Sequence, residues 1–317
     1  MRMRWMTFNV KDLFEAGAIT SPGKEETRLT LEQHKAKLEA LAVPLRSVMP
    51  NVICLQEIAS ETSLRSLLAL AGMESYAVAF GEPDDRGIRC AIASSDPIVS
   101  TTLLRETDLP FVRFNVADPE PYPGRLLQKR SMVASMIETK TEGRVLITCL
   151  HLKSNRPLAI QLSAGGSKHP GSMTEDAEGH LRSAIVRCGE ALSLRRYLDG
   201  EFKRDPSLAV VVGGDFNDHP DSLPVRCVLG SDPNEPPVRR GIGALSSVTR
   251  GLGETLRTSA LHQGVPIQID HLLVSQNILR RVGNVKVENG ALQNHDDKPF
   301  GTFFPDSDHA PVWFETI

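Results

Sequence analysis

Little in the sequence marks a specialised class. No run approaches the roughly 20 apolar residues of a membrane span, so no span is expected. The opening Met-Arg-Met-Arg-Trp-Met-Thr-Phe-Asn lacks an apolar stretch of signal-peptide length. The cysteines number five, an odd count, and form no C-x-x-C pair. That excludes a disulfide scaffold and the common zinc spacings. Cys54, Cys90 and Cys149 sit in apolar, strand-like runs and read as reduced core residues. A cytoplasmic, reducing location is the expectation. A net charge of -3 supplies no global basic field for nucleic acid, although a local basic groove is compatible with it. Aromatic residues make up only 5%, so platforms for stacking bases are few.

What remains is an ordinary globular composition, 40% hydrophobic and 24% charged. The 317 residues show no repeat and no long linker, and one domain over 1–317 is expected. Strand-like runs (Arg2–Phe8, 52–55, 89–94, 131–138, 144–150, 209–212, 267–274) alternate with helical patterns. Thr30 and Gln33 form a candidate capping box. Leu31, Leu38, Leu41, Leu45 and Val48 then follow helical spacing up to Pro50. Leu64, Leu67, Leu68 and Ala71 predict a second helix ending at Gly72. Leu181, Ile185, Cys188, Leu192 and Arg195 predict a third, ending near Gly200. The polar segments 163–179, 229–243 and 294–305 read as loops. Short buried strands with helices between them suit two packed sheets with helices outside.

Five motifs share one layout, an apolar strand running straight into polar residues. They are Thr7-Phe8-Asn9, Leu55-Gln56-Glu57, Leu150-His151-Leu152-Lys153-Ser154, Gly213-Gly214-Asp215-Phe216-Asn217, and the pair Ile269-Asp270-His271 with Ser307-Asp308-His309. Unpaired buried charge is costly, so carboxylates at the ends of buried strands call for a purpose. Strands that end together can aim their polar tips at one point. Asn9, Glu57 and Asp308 offer oxygen donors suited to a hard cation such as Mg²⁺. A metal, histidines and carboxylates form a sufficient kit for phosphoryl hydrolysis.

In order and content these motifs resemble the endonuclease/exonuclease/phosphatase superfamily, over residues 9 to 309. The resemblance implies a deoxyribonuclease-like four-layer α/β/β/α sandwich, two mixed sheets flanked by helices. It implies a Mg²⁺- or Mn²⁺-dependent hydrolase acting on a phosphodiester, with nucleic acid the first substrate class. Glu57 would be the main metal ligand, with Asn9 and Asp308 near the ion or its waters. His309 would activate water, oriented by Asp270. Asp215 would hold or deprotonate that water, and Asn217 would contact the phosphate. His151 would stand beside the phosphate, stabilising it or protonating the leaving group.

Lys153, Arg130 and Arg89 are candidate phosphate contacts, and Arg86 lies in the same run as Arg89. His271, next to Asp270, should alternate to the opposite face and be structural. His34, His169, His180, His219, His262 and His295 carry no signal beyond structure or surface. Phe111, Arg113 and Phe114, and Lys298, Phe300, Phe303 and Phe304, are two candidate substrate loops. Substrate choice stays open, because one such fold serves nucleic acids, phospholipids and phosphomonoesters alike. Pro266-Ile267-Gln268-Ile269-Asp270-His271 departs from the string that inositol-polyphosphate 5-phosphatases carry around the penultimate Asp. A relative that only binds would be marked by loss of Glu57, Asp215 or His309, and all three are present.

Overall fold

The computed structural model describes residues 2–21, 27–112, 117, 119, 126–161, 167–168, 171–230, 241–299 and 302–317. Arg113, Phe114, His169, Phe300, residues 163–166 and 170 of segment 163–179, and residues 231–240 of segment 229–243 lie outside the described residues.

Two six-stranded sheets form the centre. In chain order the strands are β1 (Met3–Leu13), β2 (Val52–Ile58), β3 (Ala77–Phe80), β4 (Arg89–Ser94), β5 (Ile98–Leu104) and β6 (Met132–Thr139). They continue as β7 (Gly143–His151), β8 (Ala209–Asp215), β9 (Leu245–Ser247), β10 (Asp270–Ser275), β11 (Val282–Val287) and β12 (Val312–Thr316). The first sheet runs β11-β12-β1-β2-β4-β3 and the second β9-β10-β8-β7-β6-β5. Both are mixed: β1 is parallel to β2 but antiparallel to β12, and β8 is parallel to β7 but antiparallel to β10.

Strand alternation builds the layers. Along β1, Met3 and Trp5 face the second sheet, where they join Ile147, Val211 and Leu272 in one apolar cluster. Met6, Phe8 and Val10 face outward, onto Leu38, Leu41 and Leu45 of α1 (Leu31–Val48) and Leu64 and Leu67 of α2 (Glu61–Leu70). On the other flank, Leu146, Val210 and Val212 pack on Leu194, Leu198 and Phe202 of α3 (Met173–Arg204) and Val225 and Val228 of α4 (Leu223–Leu229). The result is the expected α/β/β/α sandwich. A Cβ added at Gly213 would stand 3.1 Å from the Cys54 sulfur of the opposite sheet, so this glycine permits the close approach.

The capping box of α1 forms in both directions, Gln33 N–H to Thr30 Oγ1 at 3.1 Å and Thr30 N–H to Gln33 Oε1 at 2.9 Å. Leu31, however, lies outside the buried stripe, at 53% exposure. α3 departs further from its periodicity. It begins at Met173, inside the segment read as a loop, and passes Gly200 to end at Arg204. Leu181 is exposed, whereas Ser183, Arg187, Glu190, Leu194 and Leu198 are buried. The buried stripe is polar in its first half because it grips the loop that follows His151, and an apolar pattern cannot mark such a face. Among the described residues no helix is long and apolar enough to cross a membrane.

Candidate active site

Register brings three of the side chains into one row. In the second sheet, His151, Asp215 and Asp270 stand side by side on β7, β8 and β10. In the first sheet, Asn9 pairs with Gln56 on β1 and β2. Gln56 points between the sheets, donating to the Thr7 hydroxyl at 3.2 Å and approaching Cys149 Sγ at 3.2 Å. Strict alternation would turn Glu57 toward the helices. Instead Glu57 takes a left-handed backbone, φ 64°, where the pairing of β2 with β4 shifts register. Such a conformation in a non-glycine residue is disfavoured and persists only where its surroundings impose it. Here it returns the carboxylate to the end of the sheet.

Asn9 joins the two sheets. Its amide donates to Glu57 Oε1 at 3.3 Å and to Asp215 Oδ2 at 3.0 Å, and its carbonyl accepts from Lys11 N–H at 3.0 Å. Ser307 ties the last motif to the same strand end, donating to the Asn9 backbone carbonyl at 2.7 Å and accepting from His309 N–H at 3.1 Å. His309 Nδ1 meets Asp270 Oδ2 at 2.8 Å, and the same oxygen accepts from Ser259 Oγ at 2.8 Å. His309 Nε2 is therefore the nitrogen that faces the site, 3.9 Å from Asp215 Oδ2 and 4.0 Å from Asp308 Oδ1. His151 Nε2 lies 3.4 Å from Asp215 Oδ2 and 4.0 Å from Glu57 Oε1.

The electrostatics divide these groups. Burial acts against ionisation of Glu57. The electrostatic pull of the His151 ring and the Arg86 guanidinium, a hydrogen bond with Asp12 and the His309 ring together outweigh it, and the carboxyl lies well below its ordinary range. Burial raises Asp215 to about 7, opposed by His309 and reinforced by Asp270. Burial would lower His309, but Asp270 first, then Asp215 and Asp308, raise it to about 10. Burial and the Arg130 charge hold His151 well below its ordinary value, so it is a neutral ring. Asp308 lies below its ordinary range: burial opposes ionisation, while His309 and Lys11 favour it more strongly.

Asn9, Glu57, His151, Asp215, Asp270, Asp308 and His309 thus meet at one point. Asn217 sits at its edge, in a left-handed conformation (φ 52°), with its N–H on Asp215 Oδ1 at 2.8 Å and its amide on the Leu152 carbonyl at 3.0 Å. The three basic residues read as phosphate contacts are engaged elsewhere. Lys153 Nζ curls onto its own loop, donating to the Ser154 and Arg156 carbonyls at 2.9 and 3.1 Å. Arg130 lies 3.6 Å from Asp84 and reaches the Leu152 carbonyl at 3.4 Å. Arg89 reaches the Ala59 carbonyl at 3.4 Å. Arg86, half-exposed and 3.5 Å from Asp12, is the arginine of that run whose field reaches both Glu57 and His151.

Asp12 and His295 carried no functional signal in the sequence. Asp12 donates its N–H to Glu57 Oε2 at 2.9 Å, and burial followed by the Glu57 charge raises its carboxyl to about 7. Its motif ends at Asn9, and only the irregular end of β1 brings it back to Glu57. His295 is buried and partners Lys11 and Asp306. His271 is fully buried, bonded to the Asp218 carbonyl at 2.9 Å and edge-on to Phe216, a structural role.

Among the described residues, two oxygen-rich positions are candidates for a divalent cation. Asp215, Asp270 and His309 place one donor atom each within 4.8 Å of one another. There, however, His309 and Asp270 already satisfy each other, and an ion would have to break that bond. Glu57, ionised at the sheet end, offers hard oxygen donors whose present partners are the N–H groups of Asn9 and Asp12, while Asp308 is paired with Lys11. As oriented, Asn9 gives its amide N–H groups to carboxylates and acts as the spacer that sets Glu57 against Asp215.

A family model described as Endonuclease/Exonuclease/phosphatase family matches residues 6–309. The catalytic domain of human Nocturnin, solved with a bound sulfate, is 16% identical, with a TM-score of 0.55 over 99% of this chain and 93% of that one. Truncated TDP2 from Caenorhabditis elegans is 13% identical, with a TM-score of 0.59 over 99% and 97%. A mannosyl-6-phosphatase from Bacteroides thetaiotaomicron is 15% identical, with a TM-score of 0.59 over 99% of each chain. No curated protein sequence matches the chain. These structures share the fold, and the family model, spanning every motif from Asn9 to His309, shows that the chain belongs to the endonuclease/exonuclease/phosphatase family of metal-dependent phosphoesterases.

Proposed function

We propose that the protein is a Mg²⁺- or Mn²⁺-dependent phosphodiesterase whose first substrate class is nucleic acid. The observation that carries this reading is the continuous polar chain Asp270–His309 and Asp215–Asn9–Glu57, which joins the ends of both sheets. Glu57 is the principal metal ligand, with Asp308 beside it. The ion, when bound, neutralises charge on the phosphate and favours ionisation of water.

The remaining chemistry belongs to the side chains. Asp215, with a pKa of about 7, accepts the proton of the attacking water, since a base works best near the operating pH. Asp270 holds the His309 ring with Nε2 toward Asp215, so the proton can be shared between them. His151, a neutral ring, donates a hydrogen bond to the phosphate and is a poor acid, which favours the stabilising role over protonation of the leaving group. Asn217 orients the phosphate from the edge of the site. Arg86 is the best-placed cation for it, and Arg130, Lys153 and Arg89 brace the loops around it. A phosphomonoesterase is the second reading, supported by the equally good fold match to the Bacteroides phosphatase.

A hydrolysis panel tests the choice. Single- and double-stranded DNA, RNA, a phospholipid vesicle and p-nitrophenyl phosphate are incubated with Mg²⁺ and wild-type protein or H309A. Cleavage of a nucleic acid that disappears in H309A is expected. Cleavage of the monoester alone would replace the first reading by the second.

A further inference from the structure

β1 ends abnormally. Lys11 and Asp12 are consecutive non-glycine residues with left-handed backbones, φ 48° and 50°, where the pairing with β2 loses register between Asn9 and Leu13. Left-handed L-residues normally occur singly, so a pair of them at a strand end is held there by its surroundings.

The side chain beyond that turn is tightly specified. Lys11 Nζ lies 2.5 Å from Asp308 Oδ2 and 2.8 Å from His295 Nδ1. An ammonium only donates, so His295 Nδ1 accepts and its Nε2 carries the proton, which it gives to Asp306 Oδ1 at 3.1 Å. The His295 ring is buried and stacked on Phe304, with centroids 3.8 Å apart and planes at 8°. The ammonium lies 5.6 Å from the centre of the same phenyl ring. Acceptors and aromatic face together form a cage for one cation, and they press it onto a carboxylate that also faces the metal site.

We propose that Lys11 is a resident cation of the Asp308 side of the metal site, confining the protein to one divalent ion held mainly through Glu57 and weakening its affinity. The inference rests on the metal site proposed above. Lys11 acts as a positioning residue. By holding Asp308 it withholds an oxygen ligand from the ion, and its charge repels the ion. The His295–Asp306–Phe304 wall fixes it there, which gives those three residues a role in metal affinity.

The test is Mn²⁺ binding followed by electron paramagnetic resonance and titration calorimetry, with no substrate present. The wild type is expected to take up one ion and E57Q none. K11M should bind Mn²⁺ at least tenfold more tightly or take up a second ion, while K11R, which keeps the charge, should behave as the wild type. Should K11M fail to fold, H295A, in which Lys11 loses its anchor, carries the same test and should tighten binding in the same direction. One ion in the wild type with unchanged or weaker binding in the variant would overturn this inference and leave the proposed metal site standing. No uptake by the wild type would overturn both.

Discussion

Asp215 and His309 are neighbours, 3.9 Å apart. Each changes the other's affinity for a proton, and Asp270, buried and bonded to both Ser259 and His309, decides which ring nitrogen is free. In the proposed mechanism the two share the proton of the attacking water, and groups in that role contribute on the order of 10²-fold or more to turnover. Asp215→Ala and His309→Ala should each lower kcat by at least about 10²-fold, with an unchanged far-ultraviolet circular dichroism spectrum. A loss of only severalfold in both would place the proton transfer elsewhere. The eight strand-end and loop residues of this constellation were legible because an apolar strand that stops at a carboxylate or histidine is an expensive feature to keep. Lys11, Asp12 and His295 were not, whereas Arg86 was marked only as part of the run that ends at Arg89. Lys11 and Asp12 reach the site through left-handed turns and His295 from a polar segment, neither of which leaves a periodic trace.

At the scale of elements, β8 and α3 carry the clearest consequences. Gly214 lies between Leu150 and His271 in the second sheet. A Cβ there would sit 2.1 Å from the Leu150 carbonyl oxygen, a backbone atom that cannot move aside. Gly214→Ala should therefore cost about 2 kcal/mol or more of stability and displace Asp215, and a thermal melt alongside a turnover assay would show both losses. A melt matching the wild type would mean that the strand end can relax.

α3 places Glu190 against the loop after His151, where its Oε2 accepts the Lys153 N–H at 2.7 Å. Burial raises this carboxyl to about 7, although Lys153, Arg130 and Arg187 pull the other way. The folded state therefore binds the proton more tightly than the unfolded state, and the associated stability is present below the ordinary carboxyl pKa and lost as pH rises through about 7. Relative to wild type, E190Q should gain melting temperature between pH 5 and pH 8.5. A difference independent of pH would show that Glu190 is not protonated in the folded protein. The same residue explains why the buried face of α3 could not be found by hydrophobic spacing, whereas α1 and α2, which bury leucines on β1 and β2, could. The strand Ile98–Leu104 also escaped notice, because an exposed edge strand alternates Val, Ser and Thr without an apolar face.

For the whole molecule, the sandwich matters because it lets two sheets end at one place, so that Asn9 and Glu57 of β1 and β2 face His151, Asp215 and Asp270 of β7, β8 and β10 across the seam. That arrangement, with the family model over residues 6–309, makes the chain a phosphoester hydrolase. The claim that this chemistry needs a divalent ion on Glu57 is tested most directly by one assay. Hydrolysis of bis-p-nitrophenyl phosphate is followed with Mg²⁺, with excess EDTA, and with Mg²⁺ restored, for wild type and E57Q. The account predicts turnover that EDTA abolishes and Mg²⁺ restores in the wild type, and none in E57Q. Full activity in excess EDTA, or in E57Q, would contradict it.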